Sequence, residues 1–233
     1  MRKLFGFLFA LVAVLSLASC GKVEGALTYD EYVAAEKGAE VTIAGYVQAK
    51  QGWWEKNGQG VATVYLQDND GGYFLYELSC SEEQYKNDLA IGNHIKVTGI
   101  KSEWAGMVEI KGQEAGAEAT YEVIDGTKIY KPTKCDSLNN EELIKLSSQK
   151  VAFKNLEVVK VDLPKSEGSD IYFDVTDGTT TLTFVIESYL TGKNTDVYQT
   201  AWNLKVGDKI NCEGFMYVYE KAQLHTTAIA LVK

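Results

Sequence analysis

Three of the chain's four tryptophans fall in two short glycine-bearing stretches, Gln51-Gly52-Trp53-Trp54-Glu55-Lys56-Asn57-Gly58 and Ser102-Glu103-Trp104-Ala105-Gly106. Aromatic faces held in loops stack on nucleobases at about 1–3 kcal/mol each, and on sugar rings through the same flat apolar area. Tyr46 and Tyr65 alternate with residues that read as core, so they extend the same platform. Lys50, Lys56 and Lys101 lie beside these stretches and could meet phosphates or carboxylates. Isolated lysines on an acidic chain also serve solubility alone.

Chemistry beyond binding has little to work with. His94 and His225 are the only histidines. Neither lies in a Ser or Cys nucleophile signature, and no His-x-x-x-His or Cys-x-x-Cys pair suits zinc. No glycine-rich phosphate loop occurs. Asp68, Asp70 and Glu77 suggest calcium, but their spacing does not meet the EF-hand loop, and a hairpin turn accounts for both aspartates. The expectation is a protein that is not an enzyme and carries no cofactor and no metal.

The N-terminus says where such a protein works. Met1-Arg2-Lys3, an apolar run from Leu4 to Leu15 and the small residues before Cys20 form a secretory signal. Leu17-Ala18-Ser19-Cys20 resembles the lipobox of bacterial lipoproteins, which implies cleavage before Cys20 and acylation of its thiol. Two acyl chains anchor a protein stably, so the expected location is the bacterial cell envelope, outside the cytoplasmic membrane, with the leaflet left open. The chain has a formal net charge of −9, and the signal removes two cations and no acid. Such a surface disfavours non-specific attraction to nucleic acid, though not a local basic patch. Past Cys20 only Cys80, Cys135 and Cys212 remain, which is no disulfide framework.

The elements that must position these residues repeat. One copy starts near Glu40 with Val41-Thr42-Ile43-Ala44-Gly45-Tyr46-Val47, the other near Lys150 with Val151 to Val159. Both patterns have strand period. Each copy continues into a hairpin, turned by Asn69-Asp70-Gly71-Gly72 in the first and Asp177-Gly178 in the second. A helical segment follows: Ser81-Glu82-Glu83-Gln84 is a capping box, and Thr195 caps the second copy's helix. Each copy then shows Leu-x-x-Gly-x-x-Ile-x-x-x-Gly, at Leu89–Gly99 and Leu204–Gly214, and a closing strand. Strand, strand, strand, helix, strand, strand is the order of the OB-fold, a five-stranded barrel. Gly45, Gly99 and Gly214 lie inside strands, where a small barrel needs close backbone approach. A pair of immunoglobulin-like sandwiches is the rival, with more strands and no central helix.

The combination Val-x-Ile-x-Gly-x-Val, Leu-Gln-Asp with Gly-Gly, and Leu-x-x-Gly-x-x-Ile-x-Val-x-Gly resembles the bacterial extracytoplasmic OB-fold domains of the nucleic-acid-binding type. These occur in secreted nucleases and, in tandem, in lipoproteins. The resemblance spans most of residues 40–231, but the second copy lacks Leu-Gln-Asp and the first-strand glycine. It implies a mainly β chain of two tandem five-stranded OB-like barrels, each with a helix between strands three and four. The divisions are 1–19 signal, 20–39 tether and short helix, 40–130 first barrel, 131–149 linker helix and 150–233 second barrel.

OB-folds bind across strands two and three, between the first–second and fourth–fifth loops. In the first barrel those loops hold Trp53, Trp54 and Trp104. The second barrel has Leu163-Pro164-Lys165 and Tyr217-Val218-Tyr219-Glu220 there, a poorer platform that suits a spacer or a partner surface. The ligand expected is a carbohydrate or similar polymer. Single-stranded nucleic acid and a docked envelope protein are the alternatives. In the last case the tryptophans dock that protein; a purely structural role for them, plugging the barrel ends or packing against the second domain, is a separate reading.

Overall fold

A computed structural model describes residues 23–232. Cys20 and the secretory segment lie outside the described residues. Helix α1 (Tyr29–Ala34) leads into β1 (Glu40–Lys50), β2 (Trp54–Lys56), β3 (Gln59–Gln67) and β4 (Gly72–Ser79). Then come α2 (Glu82–Asn87), β5 (Asn93–Trp104), β6 (Met107–Lys111), the small hairpin β7 (Gln113–Glu114) and β8 (Ala117–Glu118), and β9 (Thr120–Thr127). The second half holds β10 (Thr133–Cys135), α3 (Asn140–Ile144), β11 (Lys150–Asp162), β12 (Ile171–Thr176) and β13 (Thr181–Ile186). It ends with α4 (Ser188–Thr191), α5 (Asp196–Trp202), β14 (Lys209–Tyr219) and β15 (Lys221–Leu231).

Both halves close into barrels with the same connectivity. In the first, β1, β3, β4, β6 and β5 pair in that order and β5 returns to β1, with β4 and β6 parallel. In the second, the ring is β11, β12, β13, β15 and β14, with β13 and β15 parallel. A helix separates the third and fourth strands in each. That is OB topology, and it rules out the sandwich. Strand β9 adds to β5 outside the first ring.

The local signals act as the physical chemistry requires. Thr28 and Ser81 each accept from the N3 amide while Glu31 and Gln84 reach back, so two orphan donors are satisfied at each helix start. Asp177 Oδ1 accepts from the Thr179 and Thr180 amides, and Oδ2 accepts from Leu138, tying the hairpin to the lead segment. Two strand glycines sit where a neighbouring strand leaves no room for a Cβ. A Cβ on Gly99 would come 2.6 Å from Ile110 Cγ2, and one on Gly214 2.2 Å from the His225 carbonyl oxygen.

Each barrel has its own apolar core. The first includes Val41, Ile43, Val64, Leu75, Ile95 and Val97. The second includes Val151, Phe153, Phe173, Phe184, Ile210 and Leu224. Cys80 and Cys212 are buried free thiols; Cys135 is free and half-buried. Segment 131–149 is more than a linker helix. It gives β10, which pairs in parallel with β11, and the short α3, whose Leu143 joins Leu138 in the second core. After α3 the chain turns into β11 through Ser148, at φ 62°.

Candidate ligand-binding cleft

The position of the binding face follows from how the barrels dock. On β3 and β4 the residues alternate. Val64, Leu66 and Leu75 point into the first core, whereas Tyr65 and Phe74 point outward into a third cluster with Ala49, Met107, Phe215 and Val218. Tyr65 meets Phe215 at 4.9 Å between ring centroids, and Phe74 meets Tyr217 edge-on at 5.5 Å. Polar contacts fix the register. The Tyr65 hydroxyl is 2.8 Å from His225 Nδ1. The Glu220 amide donates to the Ala105 carbonyl at 2.7 Å, and the Lys150 amide to Gln67 Oε1 at 3.0 Å. The second barrel therefore covers most of the strand-two/three face of the first.

This docking sorts the residues singled out by the sequence. Tyr65 is fully buried between the barrels, and burial raises its phenol well above the ordinary range. Trp53 is half-buried against the first core, and its indole Nε1 donates to the Cys80 carbonyl at 3.0 Å, so it plugs the barrel end. Trp54 is exposed on β2, opposite Val61. Tyr46 stacks on His94 at 4.0 Å and does not line the cleft described below.

Each of the three lysines has a protein partner. Lys101 is buried, and its ammonium donates to the Val33 and Ala35 carbonyls at 2.6 Å each, satisfying groups at the C-terminal end of α1. Lys50 lies over the Tyr85 ring, 3.7 Å from its centroid, and donates to the Tyr85 carbonyl; desolvation lowers its pKa. Lys56 pairs with Glu77. Asp68 accepts from the Asp70 and Gly71 amides and from the Tyr73 hydroxyl, which is hairpin chemistry. Among the described residues no cluster of metal-ligating side chains forms.

Of those residues only Trp104 reaches the main cleft, which has a volume of about 670 Å³ and lies between the barrels. One wall is the outward face of β12 and β13, the strand-two/three face of the second barrel, with Tyr172, Thr181, Thr183 and Val185. The first barrel adds Gln51, Phe74, Tyr76 and Trp104, and the β14–β15 hairpin adds Tyr217, Tyr219 and Lys221. Four of these rings are open to solvent: Trp104 at 58 %, Tyr219 at 53 %, Tyr172 at 41 % and Tyr76 at 39 % exposure.

Charge in the cleft is lopsided. Asp170 and Glu187 line it, against Lys221 alone among basic groups that stay charged. His225 also lines it, but burial pushes the imidazole down to about 3, so it is neutral, and its 3.8 Å approach to Glu187 is not an ion pair. Glu187 is pushed up to about 7, chiefly by burial and further by Asp170, while the Gln51 amide opposes this at 2.9 and 2.8 Å. Tyr217 is raised to about 12, mainly by burial.

Tyr76 and Tyr172 are exposed cleft rings that sequence reasoning passed over, and Tyr219 is one it placed on a poorer platform. The signal for Tyr172 lay in the alternation Ile171-Tyr172-Phe173-Asp174-Val175, which turns an aromatic outward on strand two.

No protein-family model matches the chain, and neither does any curated protein sequence. Solved structures align with it weakly. The crystal structure of the p204 HINb domain has a TM-score of 0.37 and 12 % identity over 85 % of this chain and all of that one. A murine DNA-binding protein bound with double-stranded DNA has a TM-score of 0.37 and 13 % identity over 82 % of this chain and 95 % of that one. The asparaginyl-tRNA synthetase from Pyrococcus horikoshii has a TM-score of 0.34 and 17 % identity over 44 % of this chain, which spans 23 % of the synthetase. Likenesses this weak decide nothing about ligands; the chain is a tandem OB-fold protein by its own strand order.

Proposed function

We propose that this is a non-enzymatic, lipid-anchored binding protein of the bacterial cell envelope that holds a carbohydrate polymer in the inter-barrel cleft. The observation that carries the reading is the ring of four exposed aromatics, Tyr76, Trp104, Tyr172 and Tyr219, around one cleft on the open strand-two/three face of the second barrel. Exposed rings gathered in one groove are unusual on a monomer surface and mark a binding site. Thr181, Thr183 and Gln223 offer neutral hydrogen-bonding groups beside them, which suits sugar hydroxyls.

Single-stranded nucleic acid is the second reading, since the same face of an OB-fold takes oligonucleotides on stacked aromatics. The charge argues against it. The chain's single arginine is Arg2, so the described residues hold no guanidinium fork for phosphates, and the cleft carries two carboxylates. Attachment rests on Cys20 and predicts that Cys20→Ala moves the protein from the membrane to the soluble fraction.

The test is fluorescence titration of the chain lacking residues 1–20. The probes are neutral hexasaccharides and single- and double-stranded 20-mer oligonucleotides. The expected result is saccharide binding that falls about tenfold in Trp104→Ala and in Tyr172→Ala and changes little with salt. Oligonucleotide binding that decays steeply with salt would replace this reading with the second. No response to any probe would leave a protein partner.

A further inference from the structure

We propose that the ligand presents a positively charged nitrogen to the cleft: a primary ammonium on an amino sugar, taken by Asp170 and Glu187 and by the faces of the surrounding rings. The inference deepens the carbohydrate reading and rests on it.

Asp170 is the cleft's uncompensated charge, and Glu187, which burial holds at about 7, becomes a second one beside an arriving cation. Asp170 Oδ1 accepts from the Ser188 amide and hydroxyl, both at 2.8 Å, and these donors are neutral. Glu187 accepts from the neutral Gln51 amide, with neutral His225 behind it. Among the described residues neither acid has a lysine within ion-pair distance. Glu187 is largely buried and Asp170 half-buried; charges taken out of water are ordinarily paired, so two acids on one wall favour a cation between them.

The rings supply the rest. Aromatic faces are negative and attract an ammonium placed over them. Tyr172 and Tyr219 come from the second barrel and Tyr76 and Trp104 from the first, so they line the cleft from both sides. Lys221 is exposed at the β14–β15 turn and carries the cleft's one opposing charge. Gln51, Thr181, Thr183 and Gln223 then serve the uncharged part of a sugar. An amino sugar uses all three kinds of group, whereas a lysine side chain uses only the acids and the rings.

The experiment compares, on the same soluble chain at pH 7, a glucosamine hexamer, its fully N-acetylated counterpart and pentalysine. Acetylation removes the charge and leaves the sugar ring. The free amine is expected to bind about tenfold more tightly than the acetylated hexamer. That preference should collapse in Asp170→Asn and Glu187→Gln, which keep the hydrogen-bonding shape and retain affinity for the acetylated hexamer. Trp104→Ala should weaken both sugars, which separates cleft binding from general attraction to an acidic surface. Equal or tighter binding of the acetylated hexamer overturns the ammonium proposal and leaves the carbohydrate reading standing. Pentalysine binding through the same carboxylates, with neither sugar bound, keeps ammonium recognition but overturns the amino sugar and the carbohydrate reading. No binding by any probe overturns both.

Discussion

The same face of the same fold is closed in one barrel and open in the other, and one cross-strand pair shows why. Counted from the bulge that follows Val47 in β1 and Val158 in β11, Tyr65 of the first barrel stands where Asp174 stands in the second. Their partners across the hairpin are Phe74 and Thr183. The aromatic pair is buried under Phe215 and Val218. The polar pair keeps its own hydrogen bond, Thr183 Oγ1 to Asp174 Oδ1 at 2.6 Å, and faces out. Burying two aromatic rings is strongly favourable, and edge or offset contacts add about 0.5–1.5 kcal/mol. Covering an aspartate without a cation would be costly. The tandem thus spends one binding face on cohesion and keeps the other free.

The sharpest way to break this contrast is to write the second barrel's pair into the first. Tyr65→Asp leaves a carboxylate buried beside the apolar Phe215 and takes the hydroxyl from His225. The expected loss is about 4 kcal/mol or more, read by urea denaturation. Thr183→Ala, at the open pair, should stay within about 0.5 kcal/mol. Equal costs would mean that the barrels do not dock as described. Next in size is Lys101→Met, which strands the Val33 and Ala35 carbonyls that hold α1. It should cost about 2 kcal/mol, while Lys56→Met, at an exposed pair, should cost less than about 1 kcal/mol.

These residues also mark how far the sequence was legible. Local rules found the strands of both rings, the Ser81 capping box and both hairpin turns, because each signal lies within a few residues of what it controls. Lys101, read from the sequence as a ligand contact, carried a contrary signal that was legible: Ile95, Val97, Gly99 and Lys101 share one parity of β5, which turns its side chain toward the interior. The fate of Tyr65 was not. It points outward by alternation, and only Phe215 and His225, some 150 and 160 residues on, decide that outward means buried. Trp53 likewise read as a loop aromatic until the Cys80 carbonyl came within reach of its indole. The binding surface passed to the second barrel for the same non-local reason.

The inter-barrel polar cluster predicts a pH response with two opposed parts. Glu187 sits at about 7 when folded, above the usual 4.5. Its contribution is therefore complete below pH 4.5 and is lost as pH rises through about 7. His225 sits at about 3, below 6.5, so its contribution is complete above 6.5 and is lost as pH falls through about 3. Glu187→Gln should remove the first part, flattening the decline between pH 4.5 and 7 by on the order of 1–2 kcal/mol. An unchanged slope would place Glu187 in water and dissolve the cluster.

The smallest expected change in stability is the one most specific to function. Among the described residues the Trp104 and Tyr172 side chains make no hydrogen bond that holds the fold, and both rings are already exposed. Truncating either to alanine should shift stability by no more than about 0.5 kcal/mol and still weaken saccharide binding about tenfold, since each removes one stacking face. Trp53→Ala should do the reverse: it opens the end of the first barrel, costs about 3 kcal/mol and leaves the cleft chemistry in place. If Trp53→Ala lost binding at full stability while Trp104→Ala kept it, the site would return to the first barrel's own loop, and the division of labour between the two faces would fail.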